Sequence, residues 1–359
     1  MRLLEDYIGT SPYPNPPKNL AGLKKLVAQG QFVTASGIPS FDAFLGGGQV
    51  VGTTCLFVED IHGTYTSYFV KLFAAQGLVN GHRLCLISAI GCYDGFLKSL
   101  PGLPEQNRNP DPSTGDDYLN IAWRYKDILP QTTAPLKSSF SHQFDMASTL
   151  NLADYPTNDA SKCALRLDPR KSLCENLNAV LEHITTISGT GEKKVTRIII
   201  ESLASPLWGR QPESLTSCLA NFMLRLRLIL RDSFNVAYIT LPPSVIKAVE
   251  PQTRWMTYAD YAFQLDGFDG CDASVTPNPL YRDYNGLIKV IRLPSLSRFN
   301  LEPVSRPLTY DWAFKLQRRQ FIVQHLHLPP CLSETASRST ATESIIGGSC
   351  SGGGKTIDF

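Results

Sequence analysis

Long hydrophobic runs are missing from this sequence. No stretch approaches the roughly 18–20 consecutive apolar residues that a membrane-spanning helix needs, so no membrane role is expected. An excess of one charge is missing too: 34 Lys+Arg stand against 32 Asp+Glu, a net charge of +2. No global basic footprint demands nucleic acid, so any such contact must be local or shared with partner chains. Paired metal-ligand spacing is also missing. There are nine cysteines, an odd number, and none forms C-x-x-C. A zinc site from Cys85, Cys92 and a histidine therefore lacks the pattern that makes such readings strong, and no metal ligand is assigned. Cys55, Cys85 and Cys218 sit in apolar strand or helix contexts and read as buried free thiols. The first residues, with acids and early prolines, resemble neither a signal nor a transit peptide. The expectation is a soluble intracellular chain.

What is present is a core. Hydrophobic residues make up 43% of 359, enough for one large domain or two small ones. The organising stretch is Thr34–Ala89: a Gly-rich turn at Gly46, Gly47 and Gly48, another turn at Gly52, and an apolar strand Thr54–Val58. A loop Glu59–Thr66 follows, then an amphipathic helix from about Ser67 to Leu78, then a second strand Arg83–Ala89. This strand–loop–helix–strand unit is where nucleotide-binding α/β proteins place a phosphate loop.

The loop lacks what that task requires. A working loop reads G-x-x-x-x-G-K-[ST]: glycines let N–H groups curl around phosphate, the Lys neutralises it, and the hydroxyl holds magnesium. In that register Asp60 and Tyr65 replace the glycines and Thr66 replaces the Lys. Only the hydroxyl position survives, as Ser67, with Gly63 inside the loop. Asp60 would bring a carboxylate toward a polyphosphate, Tyr65 adds a Cβ where close approach is needed, and Thr66 supplies no cation.

The residues ahead of the loop are more specific. Ser36–Gly48, with its Gly-Ile-x-x-Phe-Asp-x-Phe-Leu-Gly-Gly-Gly order, resembles the approach to the first core strand of RecA/RadA/KaiC-type ATPase domains. Other matching stretches are Ile121–Tyr125, Ser205–Gly209, Asn278–Ile288, Phe314–Gln320, His325–Pro330 with Ser337–Ser339, and Gly352–Phe359. With them the chain resembles the PAXNEB family of Elongator accessory subunits, from about Val33 to Phe359. The resemblance implies an α/β, RecA-like, P-loop-type core with a mostly parallel, doubly wound sheet and a degenerate phosphate loop.

Taken in order, residues 1–32 are a Pro-rich arm with a short helix expected over Leu20–Ala28. Residues 33–330 are the RecA-like domain, interrupted at about 91–170 by an irregular insertion rich in Gly, Pro, Asn and Asp from Gly91 to Asp117. Trp123, Arg124 and Tyr125 read either as a base-stacking or partner patch or as a strip docking the insertion onto the body. Phe140, His142, Phe144 and Asp145 are expected anchors. Helices are expected over Lys171–Ser188 and Glu213–Asp232, the latter with Arg225 and Arg231 on a solvated face. Further strands are Val195–Glu201, Asn235–Leu241, Tyr261–Leu265, Leu287–Leu293 and Phe321–Leu326, giving a sheet of about seven. Residues 331–359 are a Ser/Gly-rich tail whose Gly352–Thr356 imitates half a phosphate loop without a preceding strand.

Glu201 ends an apolar strand in the manner of a Walker B acid; it is either a remnant or a group that still meets a metal-bound nucleotide. The second strand ends in Ser88, Ala89 and Ile90 with no acid to orient water. No catalytic residue is assigned, and autonomous ATP hydrolysis is not expected. The resemblance implies a hetero-hexameric ring with the fifth and sixth Elongator proteins, joined to catalytic subunits 1, 2 and 3 and acting on wobble uridines of tRNA in cytoplasm and nucleus. No cofactor is expected beyond room for ATP at ring interfaces. Loops Ser205–Pro212 and Ser244–Tyr258 correspond to pore-lining loops, making Arg210, Lys247 and Arg254 candidate tRNA contacts or ordinary surface charges. The rival readings are an active RecA/KaiC-like ATPase acting on nucleic acid, and a stand-alone RNA-binding module, which the near-neutral charge disfavours.

Overall fold

A strand buried at every position can persist only where both faces of its sheet are covered. Thr54–Val58 is such a strand, and its surroundings define the fold. The structure, a computed structural model, describes residues 21–26, 31–89, 93–104, 140–155, 163–189, 194–231, 233–249, 253–268, 281, 283–294 and 312–326. The chain opens with β1 (Leu23–Leu26), β2 (Gln31–Thr34), α1 (Pro39–Phe44) and β3 (Gln49–Val50). The strand–loop–helix–strand unit is β4 (Thr54–Val58), α2 (Thr64–Val79) and β5 (Arg83–Ser88). Then come α3 (Tyr93–Lys98), β6 (Pro101–Gly102), β7 (Asp145–Thr149), β8 (Leu165–Arg166), α4 (Leu173–Gly189) and β9 (Thr196–Ile200). The remainder is α5 (Leu215–Arg231), β10 (Val236–Leu241), α6 (Pro243–Val249), β11 (Tyr261–Gly267), β12 (Gly286–Arg292), β13 (Trp312–Leu316) and β14 (Phe321–His325).

Nine strands form one sheet in the order β14-β13-β12-β11-β4-β10-β9-β5-β8. From β11 through β8 every neighbouring pair is parallel. From β11 out to β14 the pairs are antiparallel. This is the mostly parallel α/β architecture expected, with two strands more than anticipated: the short β8, and β13, which folds back on β14 through the tight reversal Gln317–Gln320.

Period-two alternation sorts each apolar strand between two layers. Cys55 and Phe57 of β4 join α1 and α2 in one core, while Leu56 and Val58 join α4 and α5 in the other. The first core is aromatic: Phe41 meets Phe57, Phe69 and Phe263 at ring centroid distances of 6.2, 5.3 and 5.4 Å. Burying one such ring contributes about 2–3 kcal/mol. The glycine turn ahead of β3 is sterically required, since a Cβ on Gly48 (φ +126°) would lie 2.6 Å from the Thr34 carbonyl oxygen.

Several expectations are corrected. Within the helix expected over Leu20–Ala28, Leu23–Leu26 is instead strand β1, paired antiparallel with β2, so a non-local partner overrides local preference there. Helix α2 starts at Thr64 rather than Ser67 because Gly63 turns the chain at φ 66°. Cys55 and Cys85 are buried thiols outside any disulfide, but Cys218 is disulfide-bonded to Cys174 across α4 and α5. Arg231 is not on a solvated face: it binds the buried carboxylate of Asp260, as does Arg227 at 3.3 Å. Arg225 is exposed and donates to Asn178 at 3.0 Å.

In the stretch 91–170, Tyr93–Lys98 is helical and β6 pairs with β7. Phe144 is buried, and His142 bonds with Gln76 through both its backbone N–H and its ring. Trp123, Arg124 and Tyr125, the Gly352–Thr356 segment, and Cys92, Cys271, Cys331 and Cys350 lie outside the described residues.

Candidate functional site

The loop between β4 and α2 leaves the carboxyl edge of the sheet, beside the loops that follow β9 and β10, where α/β proteins bind ligands. The first turn of a helix leaves N–H groups without intrahelical partners, and the helix dipole makes that end positive. Here Asp60 satisfies it. Its Oδ2 accepts from the Thr64 N–H at 2.9 Å, and its Oδ1 accepts from the Thr66 N–H at 3.0 Å and the Thr66 hydroxyl at 2.9 Å. The Asp60 carbonyl accepts from the Gly63 N–H at 2.9 Å, closing the turn. Asp60 is only 4% exposed.

Tyr65 is helical and buried, its ring 4.7 Å from Phe314 and close against Gly267, so the position that is glycine in a working loop here anchors α2 to β11 and β13. Thr66 is buried, and Ser67 is partly exposed beside it.

A cavity of about 330 Å³ opens next to this turn, lined by Gly63, Thr66 and Ser67 together with Glu59, Glu201 and Ser205. No Lys or Arg lines it among the described residues. Glu201 is positioned by β9; burial pushes its carboxyl above the usual range, the charge of Glu59 pushes the same way, and a hydrogen bond from Ser88 and the charge of Lys71 oppose both. Glu59 went unnoticed in the sequence. Its Oε1 accepts from the hydroxyls of Ser202 at 2.8 Å and Thr240 at 2.6 Å, tying β4 to the ends of β9 and β10. The available signal was an acid placed directly after an apolar strand. Ser202 (φ 46°) and Ala204 (φ 58°), just past Glu201, hold the left-handed backbone that non-glycine residues rarely adopt.

The fold family implies a magnesium–nucleotide complex at this place, and the residues do not fit one. The loop amides at 64 and 66 are taken by Asp60, and the wall carries Glu59 and Glu201 with no Lys or Arg among its described lining residues. A phosphate charge about 4 Å from one carboxylate is opposed by about 4 kcal/mol at an effective dielectric near 20.

The candidate tRNA contacts fall on two neighbouring loops. Arg210 is exposed, its backbone paired with Lys171 and Leu173. Lys247 is exposed in the last turn of α6, and Arg254 lies in a 3-10 helix, Thr253–Tyr258. Both loops follow parallel, adjacent strands, β9 and β10.

Fold and site together define a mostly parallel α/β domain in which the Thr64 and Thr66 amides at the turn after the central strand are taken by Asp60 and no Lys or Arg lines the adjoining cavity among the described residues. The PAXNEB protein family model matches residues 16–359, and the chain belongs to that family. It is 33% identical to Elongator complex protein 4 of Xenopus laevis, over 95% of this chain and 92% of the relative. It is 32% identical to Elongator complex protein 4 of Danio rerio, with the same coverage, 95% and 92%. Among solved structures, it is similar to a KaiC-like protein of Pyrococcus horikoshii at TM-score 0.42 and 12% identity, over 81% of this chain and 98% of that one.

Proposed function

We propose that this chain is a non-catalytic subunit of the Elongator complex. It builds a hetero-hexameric ring with the fifth and sixth Elongator proteins, and the ring joins catalytic subunits 1, 2 and 3. It supplies interfaces and part of the surface that holds tRNA while wobble uridines are modified, in cytoplasm and nucleus. Any ATP response belongs to interfaces of the assembled ring. Family membership supports the complex. The observation that carries the non-catalytic part is the self-filled loop, in which Asp60 occupies the amides of Thr64 and Thr66. The rival, an active ATPase, needs a cation at position 66 and an acid after β5; the chain has Thr66 and Ser88-Ala89 there.

Co-purification with the fifth and sixth Elongator proteins of the same organism, with mass by light scattering, tests the reading. A hexamer-sized hetero-complex is expected. A self-sufficient homo-oligomer that hydrolyses ATP alone would replace it with the ATPase reading.

A further inference from the structure

We propose that Asp60 is a built-in substitute for phosphate, so that the loop before α2 is permanently filled by the chain's own carboxylate. An anion bound at a helix N-terminus is held by converging N–H groups and the positive end of the dipole. Asp60 receives both. Two backbone amides and one hydroxyl reach its two oxygens at 2.9–3.0 Å, at the start of a 16-residue helix. The two amides, of Thr64 and Thr66, are the fifth and seventh positions of the phosphate-loop register.

The arrangement is also braced against release. Asp60 is nearly enclosed, its own carbonyl closes the turn onto Gly63, and its N–H reaches the Thr66 hydroxyl at 3.4 Å. Tyr65, between the two amide donors, is pinned on Phe314. The carboxylate is tethered six residues from the amide it binds, so a free phosphate must compete with an intramolecular ligand at very high effective concentration. The Asp60 substitution therefore replaces the ligand rather than merely repelling it. A ligand shifts conformations only through differential affinity, and a filled loop offers a nucleotide none. This subunit consequently holds one loop geometry whatever nucleotide is present, which goes beyond the assembly role above and does not depend on it.

The test uses the full-length chain, wild type and Asp60→Ala, with magnesium pyrophosphate as probe and thermal unfolding as readout. The wild type should not respond. The variant, with two amides freed, should be stabilised as probe is added, by about tenfold in its folded-to-unfolded ratio when the probe is at ten times its Kd. Equal shifts in both proteins, or a folded variant that does not respond, overturn the proposal. Hydrogen exchange on the wild type gives a second arm that needs no variant: the Thr64 and Thr66 amides should be protected, and pyrophosphate should change neither. Free exchange, or protection gained on adding the probe, also overturns it. Neither arm involves the partner subunits, so this proposal and the assembly reading can fail separately.

Discussion

Asp42 offers the sharpest quantitative prediction. It lies in α1, is 4% exposed, and accepts hydrogen bonds from the Ser36 N–H at 2.8 Å and the Ser141 hydroxyl at 2.6 Å. Burial raises its carboxyl from 3.8 to about 6, although those hydrogen bonds and the charge of Arg197 pull the other way. The native state thus holds this proton more tightly than the unfolded chain does. Below the unfolded value both states are protonated and stability is unaffected by this group. As pH rises from about 4 to 6 the unfolded chain releases the proton first, and stability falls. Two pKa units correspond to about 3 kcal/mol. Asp42→Asn keeps an acceptor for Ser36 and an amide donor for Ser141 but cannot ionise. Urea denaturation of both proteins from pH 4 to 7.5 should show the variant gaining about 3 kcal/mol relative to wild type across that range, with the change complete just above pH 6. Taking the difference cancels other titrating groups. A stability difference that is flat with pH refutes the reasoning.

Further outcomes follow from other residues. Tyr65→Gly restores a glycine of the phosphate-loop register, yet should lower stability by about 3–5 kcal/mol by emptying the space against Phe314 and Gly267, with no gain in ATP binding; calorimetry and denaturation check both. The buried Arg197 guanidinium donates to the Phe73 carbonyl at 2.8 Å, the Thr34 hydroxyl at 2.8 Å and His82 Nδ1 at 3.1 Å. Arg197→Ala should therefore cost about 3–5 kcal/mol and speed hydrogen exchange in β2. Simultaneous alanines at Arg210, Lys247 and Arg254 should weaken tRNA binding by the assembled ring and reduce its salt slope by about one for each phosphate no longer neutralised. Unchanged affinity removes these residues from the interface.

The parts of the molecule legible in sequence are those set by local pattern. Apolar runs closed by turn residues gave β4, β5, β9 and β10, and 3.6-residue spacing gave α4 and α5, each within a few residues of its observed bounds. What escaped depends on partners remote in sequence. Leu23–Leu26 becomes a strand only because β2 is there to pair with it. Arg231 looks solvated until Asp260 arrives beside it from 29 residues away. Cys218 reads as a free thiol until α4 brings Cys174 within a Cα separation of 6.3 Å. At the site, residue types revealed that the loop cannot neutralise phosphate, but Asp60 read as a repulsive charge. Its role as the loop's own ligand follows from a turn angle at Gly63 that no residue type specifies uniquely.

The central strand of the sheet also sets the timetable of folding. β4 emerges early, yet both of its neighbours, β10 and β11, come late, and its first N–H bonds to Asp260, 206 residues further along. Until then β4 has two bare edges and an apolar sequence, the combination that invites pairing with other chains. The Asp60 cap spans only six residues, although the Tyr65 ring that braces it packs on Phe314 and Gly267 from the late sequence. The hydrogen bonds of the turn can therefore form before the sheet closes, but the packing that braces them cannot. A chain truncated ahead of β10 should lose that bracing and aggregate through β4.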